Sequence, residues 1–249
     1  MHTSEHWYGY FKNNLTIKRI DWSITPILTN IERRNILKSL QAWQLGETSD
    51  GANLIHASTK YANRIGDHCY PKAVELFIKE EQKHGNNLGR YLDMIGEKRI
   101  KKNWGDTLFR KVRYFNTSME IWTLAVITVE STAQIFYQSL KKATNCKLLK
   151  QVCTDILIDE APHIEFQLER MTIIYEQKHA LIKIFFYYAY MIAFAGISLL
   201  VWFAHRRLFK AGGNTFTSYC KKMALKFDKT FRRMRNASLS PENNTVILR

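Results

Sequence analysis

The chain has 249 residues, 46% of them apolar and 24% charged, with four prolines and eleven glycines. That composition suits one or two folded domains rich in long helices, and no run of β-type alternation bounded by turns interrupts it. Four cysteines without a CxxC pair exclude a zinc ribbon and a disulfide framework and fit reduced cytosolic thiols, while the net charge of +15 predicts attraction to anionic surfaces. Lipid headgroups and an acidic carrier protein lead that group; with no nucleic-acid motif present, no nucleic acid is expected.

In chain order, residues 1–29 are aromatic and polar and read as an N-terminal arm, with Pro26 near its end. The opening MHTSEHWYGYFKNN lacks the basic-then-apolar form of a signal peptide, which points to the cytoplasm. Ile36, Leu40, Trp43, Leu54, Tyr61 and Ile65 then recur at helical spacing, broken at Gly46 and Gly51, so this stretch is one bent helix or two. Pro71 is placed to open the next helix, where its missing N–H costs nothing, and that helix reaches about residue 95. A basic connector, GEKRIKKNWGD, leads to a helix over about 107–143, and another runs from Lys147 to about 180. Residues 30–180 thus read as an all-α, four-helix bundle.

Two further elements complete the chain. Residues 184–204 carry no charge over 21 positions, long enough to span a hydrocarbon core, within an apolar helix over 181–212. In 213–249, Phe216, Tyr219, Met223, Phe227, Phe231 and Met234 form one helical face, and Lys221, Lys222, Lys226, Lys229, Arg232, Arg233 and Arg235 occupy the others. Such a basic amphipathic helix suits an anionic membrane surface. A crossing would leave the basic tail inside and the bundle outside with no export signal, so the expectation is a membrane-held cytoplasmic protein whose apolar helix is embedded without crossing or packed in a homodimer.

The bundle pattern carries its own anomaly in EEQKHG, residues 80–85. The stripe through Tyr70, Val74, Phe77, Leu88 and Tyr91 puts Glu81 and His84 where leucines belong. A carboxylate turned inward needs a cation, a hydrogen-bond network or a metal, and Glu-x-x-His on one helix face presents two metal ligands. The motif alone is weak, because Glu176 and His179 repeat it where no site is expected.

Its partners make it specific. ILIDEAPHIEF places Glu160 and His163 at the same spacing, VESTAQ puts Glu130 in the line of Val126, Ala133 and Tyr137, and LGETSD puts Glu47 in the line of Leu40 and Trp43. The steps from Glu47 to Glu81 to Glu130 to Glu160 are 34, 49 and 30 residues. Two antiparallel helices meeting at one level, with their turn, need roughly 30–35 residues between facing positions. The first and last steps fit such hairpins, and the middle one leaves room for a crossover. Glu176 lies about 24 Å along the helix from Glu160 and cannot join them. Four carboxylates and two neutral imidazoles balance two divalent metals, of the iron or manganese type.

EEQKHGNNLGRYLDMIG and KLLKQVCTDILIDEAPHIEFQ resemble the ferritin-like di-iron carboxylate proteins over about residues 35–175, and look most like the soluble acyl-carrier-protein desaturases, with their E-E-x-x-H-G and D-E-x-x-H stretches. The resemblance implies two iron ions, or a manganese–iron pair, held by Glu47, Glu81, His84, Glu130, Glu160 and His163. Asp159 resembles the carboxylate that orients a ligating imidazole; Glu80 either plays the equivalent part or is solvated. Two positions depart from the pattern. Pro162 predicts a kink, a bulge or a fresh helix start, and Glu47 sits between glycines with Asp50 as its alternative. The implied function is an O2-activating oxidoreductase (oxidase, desaturase or hydroxylase), with O2 and an electron donor as partners and a lipid or acyl-carrier substrate. The alternatives are a ferroxidase that feeds an iron store and a non-enzymatic, metal-binding membrane scaffold.

Overall fold

A computed structural model describes residues 1–105, 107 and 118–237, and among these the regular structure is entirely helical. The helices are α1 (Ser4–Asn14), α2 (Asn30–Gly46), α3 (Ala52–Ile65), α4 (Tyr70–Met94), α5 (Met119–Ala143), α6 (Lys147–Glu176), α7 (Ala180–Ala211) and α8 (Phe216–Ala237). Asp106 at the end of the connector, residues 108–117 at the start of the helix expected over 107–143, and the tail after 237 lie outside the described residues.

Local chemistry sets the boundaries. Thr29 and Glu32 form a reciprocal capping box that starts α2. The expected break at Gly46 and Gly51 separates two helices, with Gly51 at φ 67°, a left-handed conformation a side chain rarely adopts. Pro71 stands in the first turn of α4, as expected. Pro162 does not restart the last bundle helix: α6 runs unbroken from Lys147 to Glu176. The carbonyl that the proline leaves unbonded belongs to Ile158, whose residue is 46% exposed, so water can satisfy it.

Helices α2, α4, α6 and α5 contact one another in a ring. The α2–α4 pair is antiparallel, since Arg33 reaches the Ile95 carbonyl and Glu97 while Gln44 reaches the Gly85 carbonyl. The short connection from Ala143 to Lys147 makes α5 and α6 antiparallel too. Ile36, Leu40, Leu88, Tyr91, Phe136, Leu140 and Leu149 fill the interior with no exposed surface. Each such side chain stabilises the fold by about 1.5–3 kcal/mol.

The stretch read as an arm is a docked helix. Trp7 and Phe11, spaced i, i+4 on α1, are buried against Phe77 and Phe166. At one face of the ring, α7 packs on α5 and α2, and α8 lies along α7 and α6. Tyr190 donates or accepts at Thr128, and Asn214 donates to Ser139, so α7 runs parallel to α5.

Candidate metal centre

Glu81 and His84 project inward from α4, Glu160 and His163 from α6, Glu130 from α5, and Glu47 from the end of α2. Ligand-type atoms of Glu47, Glu81 and His84 all lie within 4.8 Å of one another, and so do those of Glu81, Glu130 and His163. Glu81 therefore belongs to both groups. Glu160 is fully buried beside Glu130 and Glu81, and both of its carboxylate oxygens lack a hydrogen bond. Asp50 is exposed and caps α3 through Ala52 N, so Glu47 is the residue that reaches the site from α2. His179 accepts from Leu181 N at the start of α7, remote in its role from this cluster.

Each imidazole is held by a carboxylate of the opposite helix. His84 Nε2 lies 3.0 Å from Asp159 Oδ2, and His163 Nε2 lies 2.8 Å from Glu80 Oε2. An ionised carboxylate only accepts, so Nε2 carries a proton in both rings and Nδ1 is the nitrogen that faces the cluster, a ligand atom once it carries no proton. His84 Nδ1 has no hydrogen bond, and His163 Nδ1 stands 2.7 Å from Glu81 Oε1 without hydrogen-bond geometry. Those orphaned atoms, with Glu160, are the pattern a metal would satisfy.

The electrostatics agree. Glu47 is a half-buried residue whose carboxylate is held on both sides: Trp43 Nε1 donates to Oε1 at 2.9 Å and the Tyr137 hydroxyl donates to the same oxygen at 2.8 Å. Burial and the neighbouring Glu81 push its pKa up to about 8. Burial raises Glu130 as well, and burial with Glu130 alongside raises Glu160. For His84 and His163, burial opposes the cation, but Asp159 and Glu81 outweigh it at His84, and Glu81 with Glu80 does so at His163. Both imidazoles therefore shift upward. These are crowded, buried carboxyls that resist ionising without a counter-charge, which two divalent cations would supply.

Several residues here carried no signal in the sequence. Asn14, at the end of α1, donates to Glu80 Oε1 at 2.5 Å and to Asp159 Oδ1 at 2.8 Å, linking the two imidazole-holding carboxylates. Arg19 reaches Asp155 and Asp159 at 2.9 and 3.0 Å, and Lys83 reaches Asp159 at 2.8 Å. Asp159 is driven well below the usual carboxylate range: burial opposes this, but His84, Asn14 and Lys83 prevail. Glu80 is fully buried, which removes the solvated alternative. Phe77 and Phe11 set their rings 4.8 and 5.9 Å from that of His163, closing this side with hydrocarbon.

A cavity of about 260 Å³ opens beside the cluster. Glu47, Glu81 and Glu130 line it on the side of the cluster, Ser49, Asp50 and Asn53 line it at the α2–α3 turn, and Leu54, Phe77, Ile78, Trp122, Val126 and Val129 contribute apolar wall.

The sequence matches no protein-family model and no curated protein. Solved structures of R2-like ligand-binding oxidase do resemble the chain. A variant with an aerobically reconstituted Mn/Fe cofactor superposes with TM-score 0.68 at 18% identity, covering 93% of this chain and 97% of that one. A second variant gives 0.67 at 19% identity over 93% and 94%, and a third, reconstituted anaerobically, gives 0.66 at 18% over 93% of each chain. The fold is ferritin-like. At this identity the likeness is one of architecture, and it lends the closer resemblance to acyl-carrier-protein desaturases no support.

Proposed function

We propose that this protein is a dinuclear, O2-activating oxidase of the ferritin-like kind, acting on an apolar substrate. Glu47, Glu81 and His84 would hold one metal, and Glu81, Glu130, Glu160 and His163 the other. A reduced two-iron or manganese–iron pair, when bound, supplies the electrons that reduce O2. The observation that carries the reading is the cavity, whose apolar wall ends on three carboxylates of the cluster. The similar structures, described as oxidases with a Mn/Fe cofactor, support the same metal pair.

The chain's own residues then have defined parts. Asp159 and Glu80 fix both rings with Nδ1 inward. Tyr137 and Trp43 hold one oxygen of Glu47, leaving the other free to ligate. Phe77 and Phe11 keep water from His163. Trp122, Val126 and Leu54 offer contact to hydrocarbon, which suits an acyl or other lipid chain, while Ser49, Asp50 and Asn53 offer polar contact at the α2–α3 turn.

The test is anaerobic loading with Fe(II), then mixing with O2. Two irons per chain and a fast ferric chromophore, both lost in Glu81→Ala, are expected. Added acyl chains should then raise O2 uptake and give an oxidised product. Iron accumulating far beyond two per chain would make the protein a store instead, and absence of bound iron would remove the proposal.

A further inference from the structure

Helix α7 is apolar enough to cross a membrane, yet only one side of it is buried. Tyr190, Phe194, Ser198 and Trp202 seat that side on the bundle and α8. The opposite side carries Leu181, Phe185, Tyr188, Ile192, Leu199 and Phe203, at steps of three, four and seven residues. These are bare: Leu181 is 71% exposed, Phe185 74% and Ile192 69%. A contiguous apolar stripe of this size on a folded surface marks an interaction site.

The charge at the end of the stripe identifies its cover. Beyond Phe203 the helix kinks at His205, and Arg206 and Lys210, both exposed, follow directly after the bend. Residues 180–237 contain eleven lysines and arginines against a single acid, Asp228, which pairs with Arg232, while Arg233 pairs with Glu165 of α6. A second copy docked on this face would offer Arg206 and Lys210 no acid from its own α7, which contains none, and in a parallel pairing would set like charges against each other at a cost. Phosphate-bearing lipid supplies both missing partners, hydrocarbon for the stripe and negative charge for its end.

The packing also sets the orientation. A transmembrane helix meets lipid or protein that is itself at home in lipid. Here α8 lies antiparallel against α7, through Tyr187, Tyr190 and Phe194 on Phe227 and Phe231, and bears exposed Lys221, Lys222 and Lys229 along its length. Crossing would carry those cations into hydrocarbon; lying flat leaves them among headgroups. From Leu181 to Phe203 the stripe is about 33 Å long at the helical rise.

We propose that the outer face of α7, from Leu181 to Phe203 with Arg206 and Lys210 at its end, docks flat on an anionic lipid bilayer and holds the bundle at the membrane without crossing it. This stands apart from the metal chemistry.

The experiment is flotation of the full chain with phosphatidylcholine vesicles, with and without phosphatidylglycerol. Binding should be at least roughly tenfold stronger with the anionic lipid, from about 1 kcal/mol per surface cation. The double variants Ile192→Glu/Leu199→Glu and Arg206→Glu/Lys210→Glu change exposed positions only; each should lose flotation while its circular dichroism and metal content stay those of the parent. Spin labels at Phe185→Cys, Ile192→Cys and Leu199→Cys, in a Cys69→Ser/Cys220→Ser background, should report one common depth. Absence of flotation, flotation that survives both double variants, or a depth that runs from one bilayer face to the other would overturn the proposal. A solution dimer dissociated by Ile192→Glu/Leu199→Glu would assign the stripe to a second copy and overturn it too.

Discussion

Removing the Asn14 amide tests whether the centre depends on the N-terminal helix. In Asn14→Ala, Glu80 and Asp159 both lose a buried donor, at 2.5 and 2.8 Å, and two carboxylates are left facing each other across the gap. A hydrogen bond to a charged group contributes about 1.5–3 kcal/mol. Some of this is recovered, because Arg19, Lys83 and His84 still hold Asp159 and His163 still holds Glu80. The expected loss is therefore about 2–4 kcal/mol, read as a lower denaturant midpoint at constant slope. Because both imidazoles lean on these carboxylates, metal affinity should fall by roughly tenfold to a hundredfold. Asn14→Asp keeps the shape but turns the donor into a third acid. It should be less stable than Asn14→Ala at neutral pH and recover as pH falls, since the introduced carboxyl, crowded by two others, binds a proton more tightly folded than unfolded. An Asn14→Ala protein within about 0.5 kcal/mol of the parent, with unchanged metal uptake, would refute the reasoning.

Three other outcomes are expected. Gly85→Ala gains about 0.5–1 kcal/mol of helix propensity, but its Cβ would sit 3.1 Å from the Glu47 backbone, and overpacking costs about 1–3 kcal/mol; a net loss near 1 kcal/mol with weaker metal binding is expected, and a stabilised, fully loaded variant would contradict it. Tyr137→Phe removes one of the two donors on Glu47 Oε1, at a cost of about 1 kcal/mol, and should weaken binding at the Glu47–His84 position more than at the other, as a two-step metal titration would show. Burial pushes His205 down to about 4 from its ordinary 6.5, so the unfolded chain takes up a proton that the folded chain refuses. That contribution is complete above about pH 6.5 and declines as pH falls, by about 3 kcal/mol near pH 4, so His205→Phe should flatten a stability profile taken between those values.

The bundle could be read from the sequence because its apolar line has period 3.6 and its turns are marked by Pro71, Gly46 and Gly51. The six residues that meet in the core were legible for a related reason: a carboxylate or imidazole in an apolar seam is a local contradiction, and four such interruptions at hairpin spacing reinforce one another. Asn14, Arg19 and Lys83 offered nothing comparable. Each is a single polar residue on a short or irregular segment, or on a helix face with no repeat to mark it, and its part depends on which helix it lies beside. Helix α1 was hidden because eleven residues with two buried aromatics give too short a period to distinguish from a loop. The run in α7 failed in the opposite way: where nearly every position is apolar, sequence does not reveal which face is covered.

The crossed pairing of His84 with Asp159 and of His163 with Glu80 has a consequence for alignment of the two helices. Apolar side chains tolerate a sliding neighbour, because one leucine contact replaces another. These pairs do not. A displacement of α6 by one helical turn, about 5.4 Å, would strand both imidazoles and both carboxylates at once in a dry interior. The polar core thus acts as a two-pin key that admits a single register of α6 on α4.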